Sequence, residues 1–156
     1  SSAASDVYKR QDENHLVEII RKLKRPYVRY TRADEKNVRK ADCLIIDCFG
    51  LLSSIYRYGE IAYIGGGFGV GIHNTLEAAV YGIPVIFGPK YQKFQEAIQL
   101  LEAKGAFSVK DYEELKTLLD RMLTDEVFLR ESGMNASNYV TGNAGATDKI
   151  MSMINF

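Results

Sequence analysis

The stretch IAYIGGGFGVGIHNTLEAAVYGIPVIFGP, Ile61 to Pro89, decides the fold. It reads as strand, glycine loop, helix, tight turn, strand. Ile61-Ala62-Tyr63-Ile64 is a short apolar run of β-formers, and Pro84-Val85-Ile86-Phe87 is a second one with the character of a buried strand. Between them, Gly65, Gly66, Gly67, Gly69 and Gly71 put five glycines within seven residues. That density costs backbone entropy in any regular element, so it calls for another reason: positive φ, or close approach of the backbone to something. Asn74-Thr75-Leu76-Glu77 then has the Asn-x-x-Glu form of a capping box. Ala78, Ala79, Val80 and Tyr81 continue the helix and Gly82 stops it. A helix start behind a glycine loop presents N–H groups and a positive dipole end, which suits a phosphate.

The loop fits neither common nucleotide motif. From Gly65, Gly67 or Gly69 the sixth position is Val70, Ile72 or Asn74, so GxGxxG fails, and no Gly-Lys-Ser/Thr follows for a Walker A loop. A nucleotide can still bind through Asn74, Thr75 and the helix start. Glu77, one turn in, can accept hydrogen bonds from ribose hydroxyls. Each residue also has a plainer reading. Asn74 and Glu77 can simply close the capping box, His73 can be a polar residue at a helix start, and the glycines can serve a tight crossing of loop over sheet.

Outward from this unit, Leu16, Ile19, Ile20 and Leu23 recur at helical spacing, which predicts an amphipathic helix over 12–24, ended by Pro26. Tyr27 to Tyr30 and Cys43 to Asp47 read as strands, with a polar loop holding at most a helical turn from Thr31 to Lys40. Leu51 to Tyr58 reads as helical. Asp47 either caps that segment or touches a ligand, and the cap is favoured. Beyond the central unit the pattern predicts a helix over 91–104 stopped by Gly105, a strand over 106–109, and helices over 111–123 and 125–138. A last helix over 141–155 follows a break at Gly142-Asn143. Strands alternating with helices, the strands continuous in apolar residues, predict an α/β fold: a Rossmann-like parallel sheet with helices on both faces. In such sheets the ligand sits outside the carboxyl ends of the strands. The loops at 47–51 and 65–77 are the candidates.

The 156 residues suffice for one domain with a core. Twenty basic and twenty acidic side chains cancel, which argues against a general nucleic-acid binder while allowing a local basic patch. Cys43 and Cys48 stand alone at C-x4-C spacing, so no zinc site is expected and reduced, buried thiols are the better reading. No apolar run reaches the roughly 18–20 residues that span a bilayer. Residues 1–11, SSAASDVYKRQ, lack the apolar segment of a signal peptide, and DVYKRQ resembles a translated sequencing adapter. They are set aside as an artefactual leader, with 12–156 a partial domain.

Residues 65–89 resemble the donor-binding motif of the 3-deoxy-D-manno-octulosonic acid (Kdo) transferases, in which Gly-Gly-Ser/Gly-Phe is followed by His-Asn-x-Leu-Glu and Gly-x-Pro-Val-x-x-Gly-Pro. Residues 47–58, DCFGLLSSIYRY, resemble the segment before it, in a form like the Bacteroidetes branch. The resemblance implies the C-terminal half of a GT-B fold, lacking its first strands. It implies transfer of Kdo from CMP-Kdo to a lipid A precursor, in lipopolysaccharide synthesis, on the cytoplasmic face of the inner membrane, with no cofactor and no bound metal. Carried over, Phe49, Gly50 and Leu51 line the cytidine pocket, and Gly66 and Gly67 let the backbone approach the donor. His73, Asn74 and Thr75 meet the CMP phosphate and Glu77 the ribose. Many members have Glu where this chain has Leu51, which removes a polar contact there. The general base, the acceptor site and the membrane contact belong to an N-terminal domain in that family, so the present chain alone is expected to be soluble and inactive. The alternatives are a donor domain for a UDP-sugar in another GT-B transferase or epimerase, and a nucleotide-binding domain without catalysis.

Overall fold

The computed structural model describes residues 3–5 and 13–154. Expected positions at Asp12 and Asn155, and most of the leader, lie outside the described residues. The chain divides into two compact units, Ser1–Ile55 and Tyr56–Phe156. No run of Pro, Gly or Ser marks the boundary in the sequence.

The first unit is a three-stranded parallel sheet in the order β1-β3-β2, formed by β1 (Ala3–Ser5), β2 (Tyr27–Arg29) and β3 (Cys43–Ile45). Its β1 comes from the leader set aside on sequence grounds. Registers are Ala3↔Cys43 and Tyr27↔Cys43, so all three strands begin at one edge. Helix α1 (Glu13–Lys22) precedes β2 and buries Leu16, as its periodicity predicts. The polar stretch between β2 and β3 holds a 3-10 turn at Tyr30–Arg32 and one α-helical turn, α2 (Glu35–Val38), started by an Asp34/Asn37 capping box. After β3 comes α3 (Leu52–Ile55).

The second unit opens with a 3-10 turn at Tyr56–Tyr58. Its parallel sheet β4-β5-β6 consists of β4 (Ala62–Ile64), β5 (Val85–Phe87) and β6 (Ala106–Ser108). Between the strands lie α4 (Leu76–Ala79) and α5 (Gln95–Glu102), and after them come α6 (Tyr112–Thr124) and α7 (Glu126–Ile154). The pleat of β5 assigns its residues to two cores. Val85 and Phe87 join Ala78, Ala79, Ala97, Leu100 and Ala136, from α4, α5 and α7. Ile86, between them, joins Val109 and Met122, backed by Leu115, Leu118 and Leu119 of α6. Helices therefore cover both faces, and all three β5 side chains are fully buried.

Two boundaries differ from the sequence reading. The expected break at Gly142-Asn143 is absent, and α7 runs unbroken for 29 residues. Both Gly142 and Gly145 lie on an exposed stretch with nothing packed on them, where glycine costs about 1 kcal/mol without forbidding the helix. The proximal half of α7, packed on α4, α5 and α6, holds the element. At the end of α5 the left-handed residue is Lys104, with φ of 59°, rather than Gly105. Gly105 is instead where the chain passes the backbone of Ala136 too closely for a side chain. Among the described residues no helix is long and apolar enough to cross a membrane.

Candidate functional site

The candidate site of the second unit lies at the carboxyl end of β4, where residues 65–75 lead into α4. Its glycines fold the chain back on itself. Gly66 takes a left-handed φ of 91°, and a side chain there would collide with the carbonyl of Gly71. The Gly66 carbonyl accepts the N–H groups of both Gly69 and Gly71, at 2.9 and 3.1 Å. Gly67 is the point of closest approach to the end of β5. A Cβ there would stand 2.5 Å from the nitrogen and 2.6 Å from the Cα of Gly88, and the Lys90 N–H donates to the Gly67 carbonyl at 2.9 Å. The plainer reading of the glycines, a tight crossing, therefore accounts for both positions within the chain. Gly88 and Lys90, which the sequence reading did not single out, complete the crossing. The Gly-Pro that ends the second apolar run was the available signal for Gly88.

The start of α4 departs from the expected capping box. Thr75 is the N-cap and its side chain makes no cap hydrogen bond. Asn74 acts one residue earlier: its Oδ1 accepts the Leu76 N–H at 3.0 Å, and its Nδ2 donates to Glu77 Oε1 at 3.1 Å. Asparagine competes for backbone N–H groups locally, and here its two-residue turn wins over the box. Asn74 and Glu77 thus form a direct amide–carboxylate pair with the Glu77 side chain half-buried. His73 is exposed, with its N–H on the Gly65 carbonyl at 3.2 Å. Thr75 is fully buried, and its hydroxyl finds no hydrogen-bond partner among the described residues. Both the hydroxyl and the main chain of Thr75 are thus sealed from solvent in this conformation. α4 itself is one turn, shorter than the sequence suggests, so its dipole is correspondingly small.

Phe49, Gly50 and Leu51 belong to the first unit. Phe49 is 71% exposed, Gly50 takes a left-handed φ of 87°, and the Leu51 carbonyl accepts the N–H groups of Ser54 and Ile55 to start α3. Just before them, Asp47 neither caps α3 nor stands free. Its fully buried carboxylate accepts from Arg29 Nε at 2.7 Å, from the Thr31 N–H at 2.9 Å and from the Thr31 hydroxyl at 2.6 Å. Burial works to raise its pKa, but the Thr31 hydroxyl and N–H and the Arg29 guanidinium outweigh it and hold the carboxyl below its ordinary range. The network ties the end of β3 to the residues after β2. Partners 16 and 18 residues away carry no local sequence signal, which is why the reading of Asp47 as a cap fails.

Parallel strands, helices on both faces of the second sheet and a glycine turn leading from a strand end into a helix define an α/β domain of Rossmann-like type. No family model matches the sequence. A 3-deoxy-D-manno-octulosonic acid transferase of Aquifex aeolicus is 42% identical over 87 residues, 54% of this chain and 25% of that protein. The protein of the same name from Rickettsia bellii is 32% identical over 116 residues, 72% of this chain and 28% of the relative. Among solved structures, the C-terminal CMP-Kdo binding domain of WaaA from Acinetobacter baumannii superposes with a TM-score of 0.69 at 19% identity, covering 81% of this chain and 67% of that one. The chain belongs to the 3-deoxy-D-manno-octulosonic acid transferase family and shares the fold of that C-terminal domain. It spans about a quarter of the length of the curated relatives it matches.

Proposed function

We propose that this chain is the donor-binding part of a Kdo transferase. In this reading it binds CMP-Kdo for transfer of Kdo to a lipid A precursor, in lipopolysaccharide synthesis at the cytoplasmic face of the inner membrane. The observation that carries the proposal is sequence similarity to transferases of that name across nearly three quarters of the chain. The fold it shares with a CMP-Kdo binding domain supports the donor side in particular.

The site residues take the following roles. Glu77 accepts hydrogen bonds from the ribose hydroxyls. Asn74, whose amide is engaged at both ends, holds that carboxylate in place. His73 faces the phosphate, where negative charge grows as CMP departs, and the buried Thr75 starts α4 beside it. Fixed donors aimed at that charge lower the barrier because they need no reorganisation during the reaction. Gly66 and Gly67 shape the turn that holds these groups at the strand end. The acceptor hydroxyl needs a general base. We assign that base and the acceptor site to a second domain of the GT-B architecture, so this chain alone binds donor without transferring sugar.

A thermal-shift titration with CMP, UDP and NAD tests the reading, because a ligand that binds only the folded state raises the melting temperature. Stabilisation by CMP alone is expected. Stabilisation by UDP would replace the cytidine donor with a UDP-sugar, and a cooperative transition indifferent to all three nucleotides would refute nucleotide binding by this chain.

A further inference from the structure

The first unit concentrates positive charge at the edge opposite to the one where a Rossmann-like sheet holds its ligand. Between Arg21 and Lys40 the sequence carries nine cationic side chains against two carboxylates, Asp34 and Glu35. The parallel register starts β2 and β3 together, with Tyr27 beside Cys43. The segments entering these strands are clamped side by side, since the Pro26 carbonyl accepts the N–H groups of Asp42 and Cys43 at 2.9 and 3.1 Å. Lys24 and Arg25 directly precede this clamp on one segment, and Arg39 and Lys40 precede it on the other. Arg21 and Lys22, in the last turn of α1, lead into the same edge.

Six cations are thus gathered on one ledge. Two are answered: Lys22 by Glu18 at 2.9 Å and Arg25 by Asp42 at 3.8 Å. Arg21, Lys24, Arg39 and Lys40 are exposed and have no ion pair among the described residues. Tyr27 and Val38, 41% and 47% exposed, flank the ledge at the start of β2 and the end of α2. The charge is also segregated along the chain. Residues 1–55 hold eleven cations and eight carboxylates, residues 56–156 nine and twelve, so the units carry +3 and −3 within a neutral whole.

We propose that this ledge is a docking surface for anionic lipid headgroups. The match is of charge. Four unanswered cations gather there, Arg21 in the last turn of α1 and Lys24, Arg39 and Lys40 in the segments entering β2 and β3. The tyrosine and valine beside them are amphipathic and apolar groups of the kind that settle at headgroup level. The surface does not depend on the donor reading above, because none of its residues belongs to the donor site.

Co-sedimentation of the whole chain with vesicles tests the proposal. Phosphatidylcholine vesicles containing phosphatidylglycerol should retain the chain at low salt and release it at high salt, while pure phosphatidylcholine should not retain it. The triple variant Lys24→Glu, Arg39→Glu, Lys40→Glu should lose at least a hundredfold in partitioning, from roughly fivefold for each cation removed. A control with the same change in net charge, Lys93→Glu, Arg130→Glu, Lys149→Glu, should partition within a fewfold of the parent. Equal loss in both variants, or equal binding to both vesicle types by the unmodified chain, would overturn the proposal. So would displacement by inorganic phosphate at matched ionic strength, which would make the ledge a free-phosphate site. Tighter binding to a single-stranded oligonucleotide than to the anionic vesicles would replace the lipid with nucleic acid.

Discussion

Replacing Gly67 with alanine separates the two reasons a glycine can stand at that position. The added Cβ would lie 2.5 Å from the nitrogen and 2.6 Å from the Cα of Gly88, both backbone atoms, so no side chain can swing aside. The turn after β4 and the segment after β5 must move apart, and the Lys90 N–H to Gly67 carbonyl bond of 2.9 Å goes with them. Overpacking of this kind costs about 1–3 kcal/mol and the hydrogen bond about 1 kcal/mol, so a destabilisation of about 2–4 kcal/mol is expected. In a unit of this size that corresponds to a melting temperature lowered by roughly 10–20 °C. Gly69→Ala is the internal control, because its nearest neighbour would be the Gly66 carbonyl at 3.7 Å. Thermal unfolding followed by circular dichroism, without ligand, reads both. A Gly67→Ala protein as stable as the parent would refute the reasoning. If that stable variant had also lost CMP, the glycine would be there for the ligand rather than for Gly88.

Asp47 should govern part of the acid limb of stability. Its folded pKa lies below the unfolded value of about 3.9, so its contribution is fully present above that value and is lost as pH falls through the folded pKa. Asp47→Asn should cost about 2–4 kcal/mol at neutral pH and flatten that limb in urea titrations across the acid range. In calorimetric titrations with CMP, Glu77→Gln should weaken binding by roughly tenfold, and Asn74→Ala by a comparable factor. The double variant should be no worse than Glu77→Gln alone if Asn74 acts through that carboxylate, and additive losses would mean that Asn74 holds its own part of the ligand. Lys104→Gly should stabilise by about 1 kcal/mol in chemical denaturation, since it relieves a left-handed backbone at a residue with a side chain.

The central strand-turn-helix-strand unit was legible because its signals are local: apolar runs of strand length, a glycine cluster and a stop at Gly82. The order of elements on either side follows from the same kind of pattern, and so does the family resemblance, which rests on contiguous residues. What escaped the sequence was set by neighbours distant along the chain. The pairing of Asp47 with Arg29 and Thr31 depends on β2 lying beside β3. The need for glycine at 67 depends on where Gly88 comes to rest. The fate of the Gly142-Asn143 break depends on how firmly the first half of α7 is packed, which local propensity does not report. The Asn74–Glu77 pair is intermediate. The sequence put both residues at a helix start, but which hydrogen bonds they would form was a competition between two local motifs of similar strength.

The alternation along β5 bears on how this chain can vary. Val85 and Ile86 are neighbours in sequence but lie on opposite sides of a sheet one backbone thick, and they share no packing partners among the buried residues. Changes at Ile86 are felt first by Val109, Met122 and the leucines of α6, and changes at Val85 or Phe87 by the buried residues of β4, β6, α4, α5 and α7. Related sequences should therefore covary in two interleaved sets across these three positions, with the middle residue drifting independently of the two that flank it.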